Sequence, residues 1–107
     1  MSLLNSVLVR DVEPGIYTTT VRYYRECKPE GRQPYILVEM LIDGLLITDR
    51  WYSSRIPYIM NGLRKQYHKD YLDCTLSQLL EYARTHPFEV YVCYDPRFGR
   101  QIDYKID

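Results

Sequence analysis

The sequence predicts a mainly β domain with a helical insertion (α+β), drawn as a five-stranded Greek-key barrel with helices between strands 3 and 4. Three observations carry that expectation. Three strand-like runs rich in Val, Ile, Thr and Tyr precede any helical signal. The stretch from Ile56 to Thr85 then places apolar residues at helical spacing and contains a Thr-x-x-Gln capping box. Two further strand-like runs follow, joined by a tight turn built on Pro and Gly. The chain has 107 residues, which suits a single domain spanning 1–107 that folds without disulfide or metal staples.

The elements follow in order. Met1 to Glu13 is weakly patterned, with Leu3, Leu4, Val7 and Val9 as its apolar members, and reads as a short strand or an arm. Pro14-Gly15 is a turn signal. Ile16 to Arg25 is the first strand. Its more apolar face, Tyr17, Thr19, Val21 and Tyr23, is expected inside, which leaves Ile16, Thr18, Thr20, Arg22 and Tyr24 outside. Glu26 to Pro34 is a charged loop. Tyr35 to Ile42 is the second strand, apolar on both faces apart from Glu39, as a central or doubly covered strand would be. Asp43-Gly44 is a hairpin signal leading into the third strand, Leu45 to Tyr52. There Leu45, Ile47 and Trp51 share a face with Asp49.

A helix is expected from about Pro57 to Tyr67, with proline tolerated in its first turn. Ile56, Met60, Leu63 and Tyr67 form its stripe, and Gly62 costs about 1 kcal/mol relative to alanine. The second helix starts at Thr75, buries Leu76, Leu79, Leu80 and Ala83, and is stopped by Pro87, with His86 capping its C-terminus. Phe88 to Tyr94 and Arg100 to Ile106 are the last two strands, joined by the turn Asp95 to Gly99, with Ile102, Tyr104 and Ile106 facing in. The expected core contains Val38, Met40, Ile47, Trp51, Leu79, Val90, Val92 and Ile102.

Composition limits the functions to consider. Hydrophobic residues are 46% of the chain and charged residues 26%, an ordinary globular balance. Fourteen basic residues cancel fourteen acidic ones, so no global field draws the chain to a polyanion. No apolar run approaches the length of a membrane helix, so no membrane contact is expected. The first nine residues lack a signal-peptide pattern, and the odd number of cysteines, three, suits a reducing compartment; a cytoplasmic location is expected. No phosphate loop or nucleophile elbow is present. Cys27, Cys74 and Cys93 lie far apart, and Cys74 with His68 supplies only half of a zinc site. Asp70 and Asp73, at i and i+3, have the spacing to bind a divalent ion or to pair for acid–base work, but read first as a solvated helix start or loop. The chain is therefore not expected to be an enzyme or to hold a cofactor or metal.

Two residue types stand out. Tyrosine appears twelve times against two phenylalanines, and arginine ten times against four lysines. Tyrosine tolerates half-burial, and guanidinium groups stack on rings and fork onto phosphates. From Arg50 to Lys69 the chain carries Arg50, Arg55, Arg64, Lys65 and Lys69 with no acid. That run is either a basic stripe or a solvated face.

The element order resembles the OB-fold, a five-stranded Greek-key barrel. The stretch EPGIYTTTVRYYRECKPEGRQPYILVEMLIDG also resembles the start of small phage-encoded and mobile-element OB-fold proteins that bind single-stranded DNA. The matching features are the Pro14-Gly15 turn, the charged loop Lys28 to Pro34, and Tyr35 opening an apolar strand. The resemblance implies binding of single-stranded DNA or RNA with little sequence preference, and replication or recombination proteins as partners. The end DYKID departs from the acidic tail by which many single-strand binders recruit such partners. The half-apolar strand faces carrying Tyr35, Leu37 and Leu41 leave more apolar surface than a small barrel covers, so a homo-oligomer, most simply a two-fold dimer, is expected.

Such a binder needs cations for the backbone and rings for the bases. The expected phosphate contacts are Lys28, Arg32, Arg50, Arg55, Arg97 and Arg100. The expected stacking rings are Tyr52 and Phe98, with Tyr24 as a third. Two roles fit Phe98: a stacking ring at a turn, or a plug at the barrel end. The rival reading is a protein-interaction module that recruits or blocks a host factor, since Tyr and Arg also dominate protein interfaces. An architectural subunit that only oligomerises is the third.

Overall fold

Asp43 and Gly44 both take positive φ, 52° and 76°, and so close a two-residue turn that sets the register of the longest hairpin. Around it β3 (Tyr35–Ile42) pairs with β4 (Leu45–Tyr52) without interruption, from Ile42 opposite Leu45 to Tyr35 opposite Tyr52. A computed structural model describes residues 11–68 and 73–106 of the chain. Lys69 and Asp70, and most of the weakly patterned segment Met1 to Glu13, lie outside the described residues.

The five-stranded barrel is not what forms. Six strands build two antiparallel three-stranded sheets, ordered β1-β5-β6 and β2-β3-β4, and among the described residues no ladder joins them. β1 is Gly15–Thr19, β2 Val21–Cys27, β5 Phe88–Asp95 and β6 Gly99–Asp103. The expected first strand, Ile16 to Arg25, is cut at Thr20. Thr19 pairs with Phe88 in one sheet and Val21 with Met40 in the other, so the chain changes sheets at that residue. The Thr19 hydroxyl donates to the Leu41 carbonyl at 2.6 Å and pins the corner.

At the opposite side β6 stops at Asp103 rather than running on to Ile106 beside β4. There the Asp103 carboxylate accepts from the Lys105 amide, and Tyr104 turns inward at 2% exposure. Its ring packs edge-on against Trp51 of β4, with centroids 5.2 Å apart.

Two helices lie between β4 and β5, α1 at Ile56–Gln66 and α2 at Leu76–Ala83. Pro57 sits in the first turn of α1, where its missing N–H costs nothing. α2 has both halves of its capping box: the Gln78 amide donates to Thr75 Oγ1, and the Thr75 amide to Gln78 Oε1. His86 stacks on Tyr82 at 3.5 Å, with Nδ1 3.0 Å from the Tyr82 carbonyl, at the end of that helix.

All eight expected core residues are buried, none more than 7% exposed. They meet between the sheets and under the helices with Ile59, Leu63, Phe88 and Tyr104. Each fully buried aliphatic side chain there contributes about 1.5–3 kcal/mol of transfer free energy.

Candidate nucleic-acid interface

Alternation along β3 and β4 decides what the outer face of the β2-β3-β4 sheet carries. Val38, Met40, Ile42, Ile47 and Trp51 are buried, so Tyr35, Leu37, Glu39 and Leu41 face out beside Leu46, Thr48, Arg50 and Tyr52. The rings of Tyr35 and Tyr52 are opposite one another, with centroids 5.4 Å apart and planes tilted by 53°. Arg50 lies over the Tyr35 ring, its Cζ 5.0 Å from the centroid, the geometry of a cation–π contact. Its pKa lies above the usual arginine value, chiefly through the Tyr52 hydroxyl and then through Tyr35, so three side chains act on one another. On the other side of β3, Arg25 stands opposite Leu37, which in turn stands opposite Arg50. Leu37 is thus flanked by two guanidinium groups. Tyr23, 48% exposed, adds a third ring opposite Glu39.

The structure divides the nine expected contact residues. Arg50 and Tyr52 are on this face. Lys28 and Arg32 are exposed in the β2–β3 loop, which leaves the sheet at the Cys27–Tyr35–Tyr52 row. Lys28 Nζ is 3.2 Å from Glu26, a surface pair open to water. Arg97, Phe98 and Arg100 belong to the β5–β6 hairpin of the other sheet. Asp95 Oδ1 accepts from the amides of Arg97 and Phe98, and Arg100 pairs with Asp11 at 3.1 Å. The Phe98 side chain is 75% exposed and plugs nothing.

Two of the nine face elsewhere. Tyr24 points inward, packs on the core and donates to Glu81 on α2 at 2.7 Å. That bond raises the Tyr24 pKa and lowers that of Glu81. The cause is a register shift between Val21 and Tyr23, a bulge with Arg22 as the extra residue. One extra residue reverses the alternation, so Tyr23 faces water and Tyr24 faces in.

Arg55 is the other. Its guanidinium meets the Asp49 carboxylate through two contacts, Nη1 to Oδ1 at 3.1 Å and Nη2 to Oδ2 at 3.4 Å. Nη2 also donates to the Ile102 carbonyl and Nη1 to that of Arg50. Asp49 needs those donors because it faces inward, beside the core. Tyr104 Oη donates to Asp49 Oδ2 at 2.7 Å, and Trp51 Nε1–H reaches both Tyr104 Oη and Asp49 Oδ2, at 3.0 and 3.2 Å. Burial, then the Asp49 charge, holds the Tyr104 pKa well above the usual tyrosine range, so the phenol stays a donor. The cluster ties the end of β4, where Arg50 and Tyr52 sit, to the segment after β6.

Sequence reasoning did not name Tyr35, Arg25 or Tyr23 as contact residues. The signal for Tyr35 was present: a two-residue turn at Asp43-Gly44 sets 35 opposite 52 and 37 opposite 50. Among the described residues no group of three His, Cys, Asp or Glu is placed to hold a metal, and no helix is long and apolar enough to cross a membrane. A cleft of about 410 Å³ lies between α1 and the segment after β6, lined by Arg55, Tyr58, Asn61 and Lys105 among others. Comparison with known proteins finds no matching family and no matching curated sequence.

Proposed function

We propose that the outer face of the β2-β3-β4 sheet binds single-stranded nucleic acid with little sequence preference. The observation that carries the reading is the Tyr35–Tyr52 pair with Arg50 over the Tyr35 ring. Any base has a π face, so half-buried rings on a rigid sheet give affinity without sequence readout. Arg25, Arg50, Lys28 and Arg32 supply cations around the rings for the phosphates. Nothing in the reading needs a closed barrel, because a three-stranded sheet offers the same combination. Zero net charge over the chain implies modest affinity that fades as salt rises to a few hundred millimolar. The setting that fits is cytoplasmic replication or recombination of a phage or mobile element, where single strands are exposed.

The test is titration of fluorescent oligo-dT, against duplex of equal length, across a salt series. Single strand should bind and duplex should bind far more weakly. No binding of oligo-dT at low salt sinks the reading. One observation favours a second: Leu41 and Leu46 stand opposite each other, 42% and 53% exposed, on the same face. Such an apolar pair suits contact with a protein, and the interaction-module reading takes over if the oligonucleotide does not bind.

A further inference from the structure

Among the described residues the two sheets have four edges, β1 and β6 in one and β2 and β4 in the other. An open edge presents unpaired backbone groups, and proteins blunt it by brevity, bulges or charge. Three of the four are blunted. β1 and β6 have five residues each. β2 is bulged at Arg22 and carries Arg25 as well. β4 runs for eight residues in unbroken register without Pro or Gly, and its charges, Asp49 and Arg50, lie toward the end far from the turn.

The turn fixes which backbone groups of β4 face that edge. Ile42 and Leu45 flank a two-residue turn and exchange both of their hydrogen bonds. Counting in twos, Leu45, Ile47, Asp49 and Trp51 bond to β3, while Leu46, Thr48, Arg50 and Tyr52 turn their N–H and C=O outward. The remaining contacts agree. The Arg50 carbonyl is taken by Arg55 Nη1 at 2.8 Å, and the Tyr52 carbonyl by the Arg55 amide at 2.9 Å. Among the described residues Arg55 therefore caps the far end of the edge and leaves Leu46 and Thr48 near the turn, beside the exposed Leu41–Leu46 pair.

We infer that this edge pairs antiparallel with the same edge of a second copy of the chain, making a two-fold dimer with one continuous six-stranded sheet. The axis passes beside Ile47, with Leu46 opposite Thr48 of the second copy. Four backbone hydrogen bonds form, all from groups that β3 does not use. Leu46 lies diagonal to Leu46 of the second copy, within reach of a long side chain, so the exposed leucines join into one strip across the axis. The charges agree as well. Asp49 falls opposite Leu45 and Arg50 opposite Gly44, so neither meets a like charge. No like charges oppose one another, so the segment is complementary to itself. The contact is small, and a dissociation constant in the micromolar range is expected. None of this depends on the nucleic-acid reading.

The experiment is sedimentation or light scattering over a concentration series, on the wild type, Leu46→Lys and Thr48→Pro. Position 46 is exposed, and the Thr48 N–H is not used by β3, so neither change touches the monomer's own ladder. The wild type should reach the mass of two chains at tens of micromolar. Both variants should stay at the mass of one, with unchanged circular dichroism. A wild type that is monomeric at a hundred micromolar overturns the inference, and so does a folded Leu46→Lys variant that dimerises like the wild type. If Thr48→Pro does not fold, Leu46→Lys decides alone. Amide exchange at Leu46 and Thr48 should slow as concentration rises. Protection of both amides in a monomer would mean that another part of the same chain lies on the edge, and would also overturn it.

Discussion

Gly62 of α1 lies directly against the backbone of Tyr104: a Cβ on Gly62 would stand 2.8 Å from the Tyr104 carbonyl oxygen and 2.9 Å from its carbon. The helix and the segment after β6 meet at a distance that only glycine allows. Gln66, one turn further along, donates to the same carbonyl at 2.8 Å and exchanges two hydrogen bonds with the backbone of Glu89.

Gly62→Ala is therefore expected to destabilise the chain, although alanine is the better helix former by about 1 kcal/mol. The obstacle is backbone on both sides, so overpacking costs about 1–3 kcal/mol and outweighs the propensity gain. Chemical denaturation reads the sign directly. A midpoint above the wild type would show that the helix can move away at no cost.

Tyr104→Phe removes one donor from Asp49 and leaves the ring in place. The expected loss at neutral pH is about 1–3 kcal/mol. The phenol is neutral in the folded chain, held there by burial and by Asp49, while the unfolded chain ionises near pH 10. Its stabilising effect is therefore full below about pH 10 and is lost as pH climbs toward the higher folded-state value. The stability gap between wild type and Tyr104→Phe should narrow in alkali. A gap that stays constant from neutral pH to about pH 11 would contradict this assignment.

Binding variants should separate into two signatures. Tyr35→Ala and Tyr52→Ala should each cost about 1–3 kcal/mol of oligo-dT affinity and leave the salt slope unchanged. Arg50→Ala should reduce the slope by about 0.7 for one lost phosphate contact, with a further loss from the vacated Tyr35 ring. Arg55→Lys should affect stability, not slope, because its guanidinium is committed to Asp49. Equal slopes for Arg50→Ala and wild type would remove Arg50 from the phosphate contacts.

Phe98→Ala distinguishes the two sheets as binding faces. The ring is exposed on the β5–β6 turn, so its loss should leave the denaturation midpoint unchanged. If bases stack only on the β2-β3-β4 face, oligo-dT affinity should also be unchanged. A loss as large as that of Tyr52→Ala would move the interface to the hairpin.

Much of the architecture was legible because local chemistry dictates it. The Asp43-Gly44 turn, the Thr75 capping box and the hairpin after Pro87 each depend on residues a few positions apart, and the eight expected core residues follow from alternation and helical spacing. The barrel was not legible, because the decisive events are tertiary. No Gly or Pro marks Thr20 as a corner, and the bulge at Arg22 arises only when Val21 meets Met40. That one residue also reversed the assignments of Tyr23 and Tyr24. Arg55 is a different case. Asp49 shares its strand face with Leu45, Ile47 and Trp51, so an inward carboxylate was already visible and required a cation. Arg55, just beyond the strand, was the nearest cation able to turn back.

The corner at Thr20 also orders the way the chain assembles. The β2-β3-β4 meander joins strands that are neighbours in sequence, and its loops close cheaply. β1 pairs with a strand that lies beyond both helices in the sequence, since Thr19 meets Phe88, and that closure costs more entropy. The meander should therefore acquire protected amides first, and the β1–β5 ladder last. Pulsed hydrogen exchange during refolding reads that order, and amides of Tyr17 and Val90 protected before those of Met40 and Ile47 would reverse it. On such a pathway the three-stranded sheet stands for a time with its inner face uncovered. Leu79 and Leu80 of α2, held in phase by the Thr75 cap, are then the nearest cover against misassembly.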